Sequence, residues 1–205
     1  MKEKGFLISL EGIDGCGKSS LKEYIVFYLG KYEIVSIREP GGTYISEKIR
    51  DILLDAGNQE MKGKTEAMLY AAARSQVVEE VIRPALIKGK LVIADRYIDS
   101  TIAYQGYGRG LDLNFLRELN RLCTGGLKPH LTLLLDLAPE EAAQRRRGEI
   151  PDRLEKEGIN FQNLIRKGYL KMAQEEPYRI KVLDATRDLD SLGKRALSYI
   201  NELLE

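Results

Sequence analysis

A glycine-rich stretch near the start of the chain limits the possible folds more than any other feature. Gly12, Gly17, Lys18 and Ser19 match the P-loop pattern G-x-x-x-x-G-K-[ST]. In such a loop the glycines let the backbone curl until successive N–H groups converge on phosphate oxygens. The lysine adds a mobile positive charge, and the hydroxyl can ligate Mg²⁺. The alternative is a chance glycine-rich turn.

The segments on either side of this stretch favour the phosphate-binding interpretation. Residues 5–10 are mostly apolar and predict a buried strand, and residues 19–29 predict a helix. The phosphates would then lie at a helix N-terminus, where free N–H groups and the helix dipole favour anions. The predicted phosphate-binding residues are Gly12, Asp14, Gly15, Cys16, Gly17, Lys18, Ser19 and Ser20.

Length and charge set further limits. The chain has 205 residues, and we expect a single domain over residues 1–205. Its 32 Lys and Arg residues nearly balance its 31 Asp and Glu residues, which leaves a net charge of +1. This charge gives no general attraction to nucleic acid or to anionic membranes, so phosphate binding requires locally placed arginines.

The sequence shows no signal peptide and no apolar run long enough to span a membrane. Its two cysteines, Cys16 and Cys123, form no metal-binding or redox motif. Because Cys16 lies inside the glycine-rich stretch, a structural disulfide there is not expected. These observations predict a cytoplasmic protein.

Apolar runs alternate with helical patterns along the whole chain. Further strands are predicted at 33–38, 91–94, 131–135 and 180–183, and a long helix at 65–87 that Pro84 bends or ends. This alternation predicts an α/β fold with a mostly parallel sheet covered on both faces.

Polar residues after the third predicted strand indicate a site for a metal-bound anion. Asp95 follows four apolar residues and takes the position of an acid that holds Mg²⁺ through water. The alternative for Asp95 is a helix cap. The neighbouring Arg96 could bind a phosphate through two nitrogen atoms. With Arg38, Arg50 and Arg74 it is a candidate for one anion-binding cluster, although most single arginines are simply solvated.

Arg74 is the least ordinary of these arginines. It ends the apolar stretch 68–73 of a predicted helix, where a guanidinium needs a partner. Tyr70 lies four residues earlier and therefore on the same helix face. An aromatic ring beside an arginine suits a base with its phosphate, and core packing of Tyr70 is the alternative.

Four blocks in this order resemble the thymidylate kinase family over nearly the whole chain. They are residues 11–20, 38–43 (REPGGT), 70–74 (YAAAR) and 95–106, and the first and last together are specific to the family. The resemblance implies a three-layer P-loop kinase fold with a five-stranded parallel sheet. It also implies a homodimer that transfers the ATP γ-phosphoryl group to dTMP with Mg²⁺, giving dTDP and ADP.

The same resemblance implies how dTMP would be bound. Arg74 and Arg96 would hold its phosphate and base edge, with Arg50 also near the phosphate. Thr101 and Gln105 would hydrogen-bond the polar edge of thymine. The full implied set is Asp14, Glu39, Arg50, Tyr70, Arg74, Arg96, Thr101, Tyr104 and Gln105.

Other implied roles concern the sugar, the base faces and adenine. Asp14 would reach the deoxyribose 3′-hydroxyl, and Tyr104 would disfavour a ribose 2′-hydroxyl. Tyr70, commonly Phe in the family, would stack on thymine. Arg187 would lie beside adenine. Ser19 and Asp95 would organise Mg²⁺, while Lys18 and Arg96 would offset phosphate charge.

Two positions depart from the family pattern. Cys16 stands where Ala is usual, which places a thiol beside the phosphates. His130, the only histidine, stands where Asp is common, just before the fourth predicted strand. Because ligands bind at the carboxyl ends of parallel strands, we expect a structural role for His130.

An arginine-rich segment predicts a lid over residues 142–153. Arg145, Arg146 and Arg147 could be a solvated face, but phosphoryl transfer needs positive charge and exclusion of water. No arginine follows Asp14, so the chain resembles family members whose lid supplies that charge. We expect Arg145 near adenine or phosphate, and Arg147 or Arg153, ranked above Arg146, on the transferred group.

Two alternative functions can be weighed from the sequence. Another nucleotide or nucleoside kinase would share the fold, but Gln105 with Tyr70 favours a pyrimidine, and Arg74 with Arg96 favours a monophosphate. A GTP-dependent switch should carry an N-K-x-D guanine-binding motif, and the sequence contains none.

Overall fold

The computed structural model describes residues 4–148 and 153–205, in which five strands form one parallel sheet. The strands are β1 (Phe6–Glu11), β2 (Ile34–Arg38), β3 (Leu91–Asp95), β4 (Leu131–Asp136) and β5 (Ile180–Asp184). Each lies within one residue of its predicted bounds, so the predicted α/β fold is confirmed.

The strand order is β2-β3-β1-β4-β5, which puts β1 at the centre of the sheet. Leu10 of β1 pairs with Asp95 of β3 and with Leu133 of β4. All residues of β3 are buried, as a central parallel strand with helices on both faces requires. The carboxyl ends of β1, β2 and β3 therefore meet at one edge.

Helices cover both faces of the sheet, and the apolar core lies between them and the strands. They are α1 (Lys18–Tyr28), α2 (Tyr44–Leu54), α3 (Gly63–Val77), α4 (Arg83–Ile87), α5 (Ile98–Thr101), α6 (Leu113–Thr124), α7 (Pro139–Arg145), α8 (Gly158–Glu175) and α9 (Leu189–Leu204). Thr43, Asp112 and Asp188 cap α2, α6 and α9 by accepting a backbone N–H with a side-chain oxygen.

Two π-helical segments interrupt the α-helical geometry. The first, Val78–Ile82, joins α3 to α4, so the helix predicted at 65–87 continues past Pro84, which lies in the first turn of α4. The second, Ile102–Gly108, continues α5. The sequence does not predict this second helical segment, which carries Tyr104 and Gln105.

In the described part of the chain, no helix combines the length and apolar character needed to cross a membrane. The predicted lid is described in part. Residues 142–148 form the end of α7 and a turn, and residue 153 precedes a short 3₁₀ helix, Glu155–Glu157. Residues 149–152 of the predicted lid lie outside the described residues.

Candidate active site

A cavity of about 570 Å³ lies at the carboxyl edge of the sheet. It brings together most of the residues predicted for the site: Asp14, Gly15, Gly17, Lys18, Ser19, Ser20, Glu39, Arg50, Tyr70, Arg74, Asp95, Arg96, Thr101, Tyr104, Gln105 and Arg145. The predicted residues that do not line it are Gly12, Cys16, Arg147, Arg153 and Arg187.

The glycine-rich loop between β1 and α1 forms one wall of the cavity. Gly15 and Gly17 have φ values of 81° and 98°, in the left-handed region that side chains disfavour. Lys18 is the first residue of α1, and its Nζ donates to the carbonyl oxygens of Gly12 (3.1 Å) and Ile13 (2.9 Å). The loop thus holds a cation and the N-terminus of α1 against the cavity.

Cys16 belongs to this loop but does not line the cavity. Its side chain is buried, and its Sγ is 3.8 Å from Lys18 Nζ. The sequence predicts a thiol beside the phosphates, but the cavity wall does not include it.

Arg96 occupies the centre of the site in a strained backbone conformation. Its φ of 71° makes it the non-glycine residue with positive φ among those described. Its guanidinium donates to Asp14 Oδ1 at 2.6 Å and to the Tyr104 hydroxyl at 2.9 Å. Tyr104 in turn donates to Asp14 Oδ2 at 3.0 Å. The three side chains form one closed hydrogen-bonded group.

Electrostatics keep Asp14 ionised in this group. Burial favours the neutral acid, but the Arg96 guanidinium and the Lys18 ammonium outweigh it and hold the pKa of Asp14 below its ordinary value. Asp14 is therefore an acceptor that faces the cavity.

A buried carboxylate, Glu11, lies beneath Arg96 and is not predicted as a site residue. It accepts from the Tyr97 N–H (2.8 Å), the Ser100 hydroxyl (2.6 Å) and the Tyr169 hydroxyl (2.8 Å). Both hydroxyls also accept from Arg96 Nη1. Burial and the nearby Asp99 raise the pKa of Glu11 to about 7. A glutamate ending an otherwise apolar strand is the signal that could have found it.

Arg74 reaches the cavity from α3 and has partners on four sides. It donates to Glu39 Oε2 (2.6 Å), Thr101 Oγ1 (2.7 Å), Asn120 Oδ1 (2.8 Å) and the Tyr97 carbonyl (3.0 Å). Its exposed fraction is 2%. These bonds satisfy the partner requirement that the sequence predicts for an arginine on an apolar helix face.

Glu39, the ion-pair partner of Arg74, has one carboxylate oxygen without a hydrogen bond from the described residues. Its Oε1 is buried and accepts no hydrogen bond from the described residues. Burial raises the pKa of Glu39 in spite of the Arg74 guanidinium. Nearby, Arg50 Nη1 donates to the Pro40 carbonyl at 2.8 Å, which fixes Arg50 at the same wall.

Gln105 is hydrogen-bonded to Glu66, a second buried carboxylate that the sequence does not predict. Its Nε2 donates to Glu66 Oε1 at 2.9 Å, and Glu66 has no exposed surface. Glu66, Tyr70 and Arg74 follow one another at four-residue spacing and therefore share one face of α3. That spacing is the sequence signal that could have identified Glu66.

Two oxygen-bearing side chains could hold Mg²⁺ here. The Ser19 hydroxyl and the Asp95 carboxylate both line the cavity, and Asp95 Oδ2 lies 4.0 Å from Lys22 Nζ. Mg²⁺ is usually held by one or two carboxylates together with substrate phosphates and water. Ser19 and Asp95 fit that requirement.

The arginines of the predicted lid segment have unequal positions. Arg145 and Arg146 line the cavity, where Arg145 Nη2 donates to the Ala185 carbonyl at 2.9 Å and Arg146 forms an ion pair with Glu155. Arg147 is exposed. Arg153 is buried against α2 and α3, where it donates to the Leu53 carbonyl (2.9 Å) and Glu66 Oε2 (2.6 Å).

Two further predicted positions lie away from the cavity wall. Arg187 is exposed and pairs with Asp184 at 3.2 Å. His130 precedes β4 at the opposite edge of the sheet, where its Nδ1 accepts the Leu7 N–H at 3.0 Å. That contact extends the β1 hydrogen-bonding pattern and is structural.

Comparisons with known proteins agree with this geometry. The model of the family described as thymidylate kinase matches residues 10–195. The thymidylate kinase of Symbiobacterium thermophilum is 47% identical over 199 residues, which cover 96% of this chain and 93% of that protein. The thymidylate kinase of Desulforudis audaxviator is 46% identical over 204 residues, covering 98% and 92%.

A solved structure shows the same likeness. The crystal structure of thymidylate kinase from Ehrlichia chaffeensis matches with a TM-score of 0.79 and 30% identity, covering 96% of this chain and 98% of that one. The P-loop, the cavity and these matches over nearly the full length all agree: the chain belongs to the thymidylate kinase family.

Proposed function

We propose that this chain transfers the γ-phosphoryl group of ATP to dTMP, giving dTDP and ADP for dTTP synthesis. One observation carries the proposal: a single cavity joins the phosphate-binding loop to a pocket lined by Tyr70, Thr101 and Gln105. Arg96 lies between these two regions, where a transferred phosphoryl group would pass.

The donor side is formed by the loop residues 12–20. Their N–H groups, the N-terminus of α1 and Lys18 would bind the ATP phosphates. Arg145, which bonds to the carbonyl that follows β5, would lie beside ATP. Arg187 would also contact adenine, and to do so its side chain would have to leave its ion pair with Asp184.

The acceptor side uses the remaining cavity residues. Tyr70 would stack on thymine, and Thr101 and Gln105 would bond its polar edge. The dTMP phosphate would be bound by Arg50, Arg74 and Arg96, either directly or through residues that these arginines position. Asp14 and Tyr104 would face the sugar, because both end at the cavity beside Arg96. Glu39 would act through its unpaired Oε1 or through Arg74.

Mg²⁺ would be held by Ser19 and Asp95 and would neutralise charge on the transferred phosphates when bound. The residues of this chain supply the rest of the catalysis. Lys18, Arg96 and a lid arginine bring positive charge to the reacting group, and closure of the lid excludes water. No covalent enzyme intermediate is required.

We also propose that the chain forms a homodimer through α2, α3 and α6. α3 packs against both α2 and α6, and all three helices leave large apolar side chains exposed. The exposed fractions are 50% for Ile45, 47% for Ile52, 49% for Met68 and 64% for Leu122. Neighbouring apolar groups of this kind are typical of an interface between subunits.

A cytoplasmic location completes the proposal. Cys16 and Cys123 are both free thiols, which suits a reducing compartment. The proposed substrates are also intracellular nucleotides.

Turnover with a panel of acceptors tests the proposed function. ADP release from ATP and Mg²⁺ is measured with dTMP, dUMP, dCMP, dGMP, AMP and thymidine. We expect the highest kcat/KM with dTMP and no measurable turnover of thymidine, because the arginines need a phosphate. A higher kcat/KM with a purine nucleotide or with thymidine would contradict the proposal.

A further inference from the structure

Glu66 is hydrogen-bonded to Gln105, the residue proposed to bond the base edge. Four N–H groups point at its carboxylate: Gln105 Nε2 (2.9 Å), Arg109 Nε (3.4 Å), Arg109 Nη2 (3.2 Å) and Arg153 Nη1 (2.6 Å). The carboxylate is completely buried and is offered donors only. It therefore acts as an acceptor for all of these groups.

This arrangement fixes which end of the Gln105 carboxamide faces the cavity. A carboxamide has one donating and one accepting end, and only the nitrogen can face a carboxylate favourably. Rotation of the amide by 180° would bring Gln105 Oε1 to the place 2.9 Å from Glu66 Oε1, where two acceptors repel. Gln105 Oε1 receives no hydrogen bond from the described residues, and Gln105 lines the cavity.

We propose that Glu66 is a positioning residue that makes the site select thymine and uracil over cytosine, by holding Gln105 with its carbonyl oxygen toward the base. The inference rests on the proposed function, in which Gln105 bonds the base edge. Thymine and uracil carry a hydrogen on N3 that Gln105 Oε1 can accept. Cytosine has an unprotonated N3, which would face that oxygen as a second acceptor.

The contacts of Arg109 and Arg153 with Glu66 predict how the amide would be oriented in a Glu66→Gln variant. Glu66 Oε2 accepts the two shorter arginine contacts, from Arg153 Nη1 (2.6 Å) and Arg109 Nη2 (3.2 Å). Glu66 Oε1 accepts from Gln105 Nε2 at 2.9 Å and, at 3.4 Å, from Arg109 Nε. In Glu66→Gln, the new carbonyl oxygen would stay with the arginines, and the new NH₂ group would face Gln105. Gln105 would then turn its oxygen toward residue 66 and its NH₂ toward the base, which suits cytosine.

The experiment compares kcat/KM for dTMP, dUMP and dCMP in the wild-type enzyme and in Glu66→Gln. We expect the dCMP-to-dTMP ratio to rise at least about tenfold, with the dUMP-to-dTMP ratio nearly constant, because uracil and thymine share the same N3 edge. A general loss of packing would lower all three values together and leave both ratios unchanged, which would overturn the inference.

Two further variants keep the test decisive. Glu66→Asp retains the charge that Arg109 and Arg153 require but withdraws the carboxylate from Gln105, so the dCMP-to-dTMP ratio should rise again. If Glu66→Gln folds poorly, an unchanged ratio in Glu66→Asp overturns the inference. Arg109→Gln is the matched control, because it removes a partner of Glu66 without touching Gln105, and it should leave the ratio unchanged.

The role of Gln105 itself is tested separately. In a Gln105→Met background, Glu66→Gln should no longer change the dCMP-to-dTMP ratio, because Glu66 acts through the amide. If Gln105→Met leaves the KM for dTMP unchanged, the proposed base pocket fails. If Gln105→Met raises the KM for dTMP but Glu66→Gln does not change the dCMP-to-dTMP ratio, only the inference about Glu66 fails.

Discussion

Gln105 is the residue whose removal should separate acceptor binding from donor binding. In Gln105→Ala we expect a higher KM for dTMP and a nearly unchanged KM for ATP, because the amide lines the acceptor pocket only. The expected loss of free energy of dTMP binding is about 1–3 kcal/mol, as for a buried polar group left unpaired. Steady-state kinetics with each substrate varied in turn measures it.

Gln76→Ala is the matched control for this variant. Gln76 bonds Glu80 on the surface of α3 and does not line the cavity. It should leave both KM values unchanged. Equal rises in both KM values of Gln105→Ala would show that Gln105 is a structural residue.

Glu11 should make the stability of the protein depend on pH. Its carboxyl titrates near pH 4.5 when unfolded and near pH 7 when folded. Between these values the folded state binds more protons than the unfolded state, so the free energy of unfolding falls as pH rises. Glu11→Gln removes this titration. Relative to wild type, its free energy of unfolding should therefore increase by up to about 3 kcal/mol across that window.

Urea unfolding of both proteins at pH 5 and pH 7.5 measures this effect. Any loss of hydrogen bonds in Glu11→Gln adds the same offset at both pH values and does not mask the trend. A difference between the two proteins that stays constant with pH would mean that Glu11 titrates as an ordinary carboxyl.

At this scale the sequence predicts the residues that face the cavity better than the residues behind them. Arg74 is predictable because a guanidinium on an apolar helix face requires a partner. Its partner Asn120 is 46 positions away, and Gln105 and Glu66 are 39 positions apart. Such pairs depend on the packing of two elements, and no local pattern specifies that packing.

Among the elements, the predicted lid segment shows the clearest difference between sequence and structure. The sequence ranks Arg147 and Arg153 above Arg146, but Arg146 lines the cavity and the other two do not. We expect Arg146→Ala to lower kcat by at least about 10²-fold with little change in KM, as for an arginine that acts mainly in the transition state.

Parallel measurements on Arg147→Ala and Arg153→Ala decide between the two rankings. Arg121→Ala, on the surface of α6, is a control for the loss of an exposed arginine that pairs with a neighbouring glutamate. A larger loss of kcat in Arg147→Ala or Arg153→Ala than in Arg146→Ala would support the sequence-based ranking instead.

The structure leaves little room for a side chain after Asp14 in this loop. Gly15 has a φ of 81°, and a Cβ there would lie 2.7 Å from the Ala142 carbonyl oxygen and 2.8 Å from Arg146 Cδ. A side chain at position 15 therefore competes with α7 and with the lid arginine for the same space. We therefore expect Gly15→Arg to displace Arg146 of the predicted lid rather than to supplement it.

Strands and helices differ in how well the sequence predicts them. The five strands are short apolar runs between turn residues, so local composition defines them. The π-helical segment Ile102–Gly108 has no such pattern, since its glycines and tyrosines do not follow the 3.6-residue period. Gly106 and Gly108 let this segment pack closely against Leu113 and Phe161, which belong to other elements, so no local pattern specifies these contacts.

At the scale of the whole molecule, the exposed apolar face of α2, α3 and α6 should be the interface of a homodimer. We expect Ile52→Asp with Met68→Asp to convert the dimer to monomer, because each places a charge in an apolar contact. Light scattering after size-exclusion chromatography measures the mass. Phe27→Asp is the matched control, since Phe27 is 79% exposed on α1, which packs against α9.

A wild-type protein that elutes as a monomer would contradict this proposal, and so would a dimer that survives both substitutions. The sequence indicates this face only weakly, because single exposed apolar residues are common on any protein surface. The structure adds the adjacency of the three helices.

A crystal structure of the wild-type enzyme with dTMP, Mg²⁺ and a non-hydrolysable ATP analogue would show directly how both substrates are bound. We expect thymine N3 at about 3 Å from Gln105 Oε1, with Gln105 Nε2 still bonded to Glu66. We also expect the terminal phosphate of the analogue between Lys18 and Arg96. Thymine outside the pocket of Tyr70 and Gln105, or a terminal phosphate away from residues 12–20, would contradict the proposed function.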